Sequence, residues 1–197
     1  MNSKTISFII MMGVLGNILF AISYYAGNLA PGIAFDFSLI AAYIAGFYGG
    51  PLVGFISGIF VGLLPGVMFG PLGISSWLGL FGLPFGKGLT GLTAGILAEG
   101  LRIGERKYSS ILTIPLVFLA YIPECLFTYA FFEYLMPFFI GSGGAYLFYY
   151  ILPKALVEVT IMSFLMAALI GNHGFAEFIS GFLKRPHIRP LVRTRES

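Results

Sequence analysis

The sequence predicts an all-α integral membrane protein, a six-transmembrane-helix bundle with N- and C-termini cytoplasmic. Three observations predict it. Of the 197 residues, 58% are apolar and only 10% are charged, against about 25% charged in soluble domains. The few charges leave long apolar stretches. Between Thr5 and Leu101 only Asp36, Lys87 and Glu99 occur, and between Tyr108 and Ala176 only Glu124, Glu133, Lys154 and Glu158. Basic residues flank these stretches at Lys4, at Arg102, Arg106 and Lys107, and in a tail carrying Lys184, Arg185, Arg189, Arg193 and Arg195. This composition excludes a secreted enzyme, a coiled coil, a disordered tail and a conventional DNA-binding domain.

Six apolar segments follow in order. The first, Ile6–Ala26, outruns the apolar core of a signal peptide, about 7–15 residues, and reads as an uncleaved helix. The second and third, Gly32–Gly49 and Pro51–Phe69, are shorter. They meet at Gly49-Gly50-Pro51, a turn that puts proline in the first turn of the next helix. They read as two short spans or as one re-entrant pair. Ile74–Leu101, Ser110–Pro137 and Tyr146–Gly171 each reach the length of about 20 residues that a span requires. Residues 1–174 thus form the membrane domain, and 175–197 an interfacial helix with a basic tail. In that helix Phe175, Phe178, Ile179, Phe182 and Leu183 oppose Glu177, Ser180 and Lys184, the spacing of a helix lying at a membrane surface.

Orientation comes from the basic residues. With six spans and a cytoplasmic N-terminus, all the basic clusters fall inside, while the connections Gly27–Pro31, Gly70–Gly73 and Phe138–Ala145, without Lys or Arg, fall outside. A re-entrant pair leaves this parity unchanged. The cell membrane and its anionic lipid are therefore the expected setting, and no nucleic acid is expected as a partner. The single Cys125 makes no internal disulfide, and with two histidines no zinc or iron site, and no cofactor, is expected.

Two glycine patterns stand out. Gly50, Gly54, Gly58 and Gly62 recur every fourth residue and form one stripe on the third segment, which suits close helix packing. Lys87, Gly91, Gly95 and Glu99 form another on the fourth. Gly86-Lys87 is not a phosphate loop, since Phe81 stands where glycine is needed and Gly88 follows the lysine. Gly141-Ser142-Gly143-Gly144 resembles a protease serine loop only superficially, with no histidine base paired to it. No enzymatic activity is expected.

Counting along helices at about 1.5 Å per residue sets Lys87 and Glu124 roughly 20 Å deep and Glu158 roughly 18 Å deep. Lys154 lies one turn from Glu158 on the same face. Glu133 is half a turn away from the Glu124 face and is set aside. Ionisable groups inside a membrane face the bundle interior or a water-filled cavity. Lys87, Glu124, Lys154 and Glu158 are therefore candidates to line one polar cavity, the alternative being an ion-pair network that only fixes packing. Tyr121 shares the Glu124 face, and Trp77 stands near the outer end of the fourth segment, as a ligand-stacking ring or an interfacial anchor. Both charge signs in one cavity point to a polar or zwitterionic ligand.

The run from Asp36 to Gly62, DFSLIAAYIAGFYGGPLVGFISGIFVG, resembles the second and third helices of the substrate-binding S components of energy-coupling factor transporters. The resemblance centres on GGPLVG at 49–54 and the glycine-striped helix after it. It implies a capture subunit for a vitamin or similar micronutrient, working with a transmembrane coupling protein and separate ATPases. It also implies that the loop at Asn28, together with Trp77, Lys87, Tyr121, Glu124, Lys154 and Glu158, contributes to substrate binding. The family's Ala-xxx-Ala docking motif on the first helix is not kept here; its nearest equivalent is Gly13-xxx-Asn17-xxx-Ala21, a small face that Asn17 interrupts. Two other readings stay open. One is an autonomous secondary transporter or channel that carries protons or cations on Glu124 and Glu158. The other is a membrane scaffold whose buried charges are structural.

Overall fold

The computed structural model describes residues 1–26, 28–30, 33–106, 108–141 and 145–183. Five helices are long and apolar enough to cross a membrane: Ser3–Ala26, Pro51–Phe69, Ser76–Gly100, Ser109–Ile140 and Leu147–Gly171. The chain is a helical membrane protein. Its outward face agrees, since Ile6, Ile10, Val14, Ile18 and Ile22 form an exposed apolar stripe along the first helix, a face suited to lipid. The elements are α1 (Ser3–Ala26), β1 (Asn28–Ala30), β2 (Ile33–Ala34), α2 (Leu39–Gly49), α3 (Pro51–Val61), α4 (Leu63–Phe69) and α5 (Ser76–Gly100). α6 (Ser109–Ala130), α7 (Met136–Ile140), α8 (Ala145–Gly171) and α9 (His173–Leu183) complete the chain. The strands form one short antiparallel ladder that pairs Asn28 with Ala34.

The second of the six expected segments is the shortest helix among them. Of Gly32–Gly49 only the 11 residues of α2 are helical, a rise of about 16 Å against a hydrocarbon core of about 30 Å. All of them are buried, because α2 packs against α1, α3, α5 and α8. α2 is a central core helix without a lipid face.

α1 and α3–α4 run in the same direction, as Gly13 meets Phe60, Gly16 meets Val61 and Phe20 meets Phe69. α2 carries the chain back between them, and α5, α6–α7 and α8 then alternate, so the start of α1 and the end of α8 share one end of the bundle. α9 confirms this closeness: Lys4 Nζ stands 5.8 Å over the ring of Phe182. Buried Ala176, Ile179 and Leu183 hold α9 down. Arg102 and Arg106 lie at the same basic end, at the α5–α6 connection. Lys107, Ser142–Gly144 and the tail from Lys184 to Ser197, with its five basic residues, lie outside the described residues.

The glycine stripe of α3 meets α5 backbone to backbone. A Cβ at Gly54 would come within 2.1 Å of the Gly91 carbonyl oxygen, and one at Gly58 within 2.3 Å of the Lys87 oxygen. At Gly62 it would meet Pro84 Cα at 2.4 Å. Only hydrogen fits at these positions, and the contact fixes α5 at the level of Lys87. Gly50 serves differently: its φ of 83° turns the chain from α2 into α3, with Pro51 opening the new helix.

Between α3 and α4 the helix ladder is interrupted, and Asn17 of α1 bridges the gap. Its Nδ2 donates to the Phe60 carbonyl at 2.8 Å, and its Oδ1 accepts from the Leu64 N–H at 2.8 Å. Those two backbone groups would have bonded each other in a continuous helix. Nδ2 also donates to the Gly13 carbonyl at 2.7 Å. Pro65, lacking an N–H, lies just beyond the break. The bend matters for the interior, because α4 delivers Pro65 and Phe69 to the cavity described next.

Candidate functional site

Between α5, α6 and α8, capped by α4 and the chain before α2, lies a cavity of about 110 Å³. It reaches Ile74 and Ser75 in the α4–α5 connection, at the end of the bundle opposite the basic one. Its polar wall holds three carboxylates, Asp36, Glu124 and Glu158, and two ammonium groups, Lys87 and Lys154. Most of the rest is apolar, with Leu39, Leu83, Phe131, Phe132, Leu147 and Ile151 among its members. Concave, mostly apolar walls with a few convergent polar groups are the usual form of a small-molecule site.

Lys87 lies eleven residues into α5, at mid-bundle, and is 3% exposed. Its Nζ donates to Asp36 Oδ2 at 2.7 Å and to Ser38 Oγ at 2.9 Å. Asp36 is shaped for this. Its Oδ1 accepts the Ser38 N–H at 2.9 Å, a local turn that opens α2. Its own N–H donates to Glu158 Oε1 of α8, and the next N–H, of Phe37, reaches Ser23 Oγ of α1 at 3.4 Å. The segment leading into α2 thus ties α1, α5 and α8 to one point. A carboxylate at the start of α2 also lies at the favourable end of its dipole.

On α8, Lys154 Nζ pairs with Glu158 Oε1 at 3.2 Å, the i,i+4 arrangement of a helix. On α6, Tyr121, Glu124 and Thr128 line the cavity at successive turns. Glu124 Oε2 accepts from Thr90 Oγ1 of α5. Gly86 of α5 faces it, and even a Cβ there would meet Glu124 Cγ at ordinary contact distance, 3.4 Å. A narrower crevice of about 20 Å³ between α5 and α6 also ends on Glu124 and Thr128. Past Ala130 the helix widens into a single π turn, Phe131–Leu135, a feature that recurs at functional sites. Phe131 and Phe132 of that turn are both buried and both line the cavity.

Of the residues singled out in the sequence, Lys87, Tyr121, Glu124, Lys154 and Glu158 share this cavity. Trp77 does not. It is 50% exposed and meets Phe139 edge to face at 5.7 Å, an arrangement that suits the interfacial anchor among the two roles expected of it. Asn28 begins β1; its backbone is described and its side chain is not. Glu133 lies in the π turn, partly exposed and off the cavity. Gly13, Asn17 and Ala21 line an open apolar groove with Phe60, Leu63 and Leu64. The Asn17 amide is committed to the α3–α4 break within the bundle. Sequence reasoning missed Asp36, Thr90 and Thr128. Asp36 had a signal: it is a lone acid two residues before a serine, at the start of an apolar helix. Thr90 and Thr128 had none, since threonine is ordinary in membrane helices.

Among the described residues no group of three or more His, Cys, Asp or Glu side chains is arranged to hold a metal ion. No protein-family model, curated protein or solved structure matches the chain.

Proposed function

We propose that this chain is a membrane-embedded capture subunit that takes up a small polar molecule from the outer side of the cell membrane. The observation that carries the reading is convergence. Charged side chains from α5, α6, α8 and the segment before α2 surround one cavity at mid-bundle, and charges at that depth are costly unless they do something. The cavity reaches the end of the bundle away from Lys4, Arg102 and Arg106. Under the positive-inside rule that end is the outer one and both termini are cytoplasmic. The likeness of Asp36–Gly62 to energy-coupling factor S components supports a vitamin or similar micronutrient as substrate. It also supports hand-over to a coupling protein and ATPases, with the groove at Gly13, Asn17 and Ala21 as the docking face. The chain itself performs no chemistry on its cargo in this reading.

Native mass spectrometry of the protein purified from its own membranes tests this. The expected result is a stoichiometric small-molecule adduct that is lost in Glu158→Gln. Flux of ions across liposomes holding this chain alone, with no adduct, would replace the capture reading by an autonomous transporter.

A further inference from the structure

Resting on the capture reading, the charge arrangement in the cavity narrows its ligand. Both lysines are engaged by carboxylates of this chain: Lys87 by Asp36 at 2.7 Å and Lys154 by Glu158 at 3.2 Å. Glu124 differs from the other two acids. It is 9% exposed, and among the described residues no cation lies within ion-pair distance of it. Its Oε2 accepts from the neutral Thr90 hydroxyl, and Oε1 accepts no hydrogen bond from a described residue. Glu124 nonetheless lines both the cavity and the crevice behind it, so that free oxygen is open to whatever the cavity holds. Tyr121, one turn away on the same wall, brings a ring and a hydroxyl. Counted in their charged forms, three carboxylates face two ammonium groups, and the acid without an ammonium partner among the described residues is Glu124.

We infer that the cavity takes a small organic cation, an amine with an apolar body, whose ammonium group is bound by Glu124 beside Tyr121. A buried carboxylate lacking a counter-ion gains most from a ligand that supplies one. The ring face of Tyr121 adds attraction for an ammonium. The remaining wall, with Leu83, Phe131, Phe132 and Ile151, suits an apolar body. A zwitterion is a poorer fit, because an anionic group would have to displace Asp36 or Glu158 from its lysine.

Three ligands of matched shape and different charge test this on the purified full chain by calorimetric titration: benzylammonium, benzyl alcohol and benzoate. Benzylammonium is expected to bind about tenfold tighter than benzyl alcohol or more, the scale for a buried charge pair gaining its second partner. Benzoate is expected to bind weakest. Glu124→Gln, close in shape, should remove the preference for the cation and leave benzyl alcohol within about twofold. The inference is overturned if benzyl alcohol or benzoate binds as tightly as benzylammonium, or if benzylammonium shows no heat at about 10 mM. A Glu124→Gln protein that keeps the cation preference overturns it equally, and the wild-type series decides the matter if that variant fails to fold. The two readings fail separately. An anionic co-purified molecule would end the cation inference and leave capture standing, while the cation order together with ion flux by the chain alone and no adduct would do the reverse.

Discussion

Helix α5 has two faces that solve opposite problems. Toward α3 it presents the backbone of Lys87, Gly91 and Gly95, pressed so close that a methyl group at Gly54 or Gly58 has nowhere to go. Toward α6 and α8 it presents Leu83, the Lys87 side chain and open space. The first face holds no charge and no gap. The second holds both. The comparison teaches that the cavity is kept open by the closeness of the contact behind it: without side chains between α3 and α5, α5 cannot slide into the space in front. In a bilayer, where apolar burial gives helices little reason to associate, such backbone contact is a main source of fixed geometry.

Breaking the dry face should have the largest effect. Gly54→Leu or Gly58→Leu forces α3 and α5 apart, and no monodisperse protein is expected on gel filtration in detergent. A normal elution profile would mean that α5 is held elsewhere. Next comes Lys87→Ala, which leaves Asp36 buried without its partner at a cost of about 3–5 kcal/mol. Thermal unfolding should show this, with part of the loss recovered in the double variant with Asp36→Asn. Equal stability would break the view that the charged face is also structural. Asn17→Ala should come third. It leaves the Phe60 carbonyl and the Leu64 N–H unpaired, at about 1–3 kcal/mol each where water is absent. The smallest change is expected at Trp77→Ala. Losing one edge-to-face contact with Phe139 costs about 0.5–1.5 kcal/mol, and titration with benzylammonium should be unaltered. A large loss of binding there would bring Trp77 back to the site.

What was legible in the sequence and what was not divides by the same two faces. Lys87, Glu124, Lys154 and Glu158 are charges within long apolar helices, and in a regular helix depth is a count of residues. Their meeting in one cavity was therefore within reach of arithmetic. Asp36 was not, because it sits outside any helix, where no rise per residue gives its depth. The shortness of α2 was hidden for a related reason. Gly32–Gly49 is apolar enough for a span, and nothing in hydropathy distinguishes residues buried by lipid from residues buried by protein. Asn17 stands out in the sequence only as a departure from alanine on a docking face. Its partners, the Phe60 carbonyl and the Leu64 N–H, become available only because the α3–α4 ladder opens, an event that tertiary contact decides. The π turn at Phe131–Leu135 escaped as well, since ideal periodicity assumes a constant turn.

α2 has a consequence for how the molecule is made. A helix of 11 residues is too short to be released into lipid as a stable span during insertion, and none of its faces has evolved to meet lipid. Its neighbours α3, α5 and α8 all follow it in the chain, the last beginning more than a hundred residues later. It must wait, held to α3 by the Gly49-Gly50-Pro51 turn, until α8 arrives to close around it. Closure of the bundle around α2 therefore waits for α8. A ribosome that stops before α8 leaves a chain whose central helix has no completed place to go.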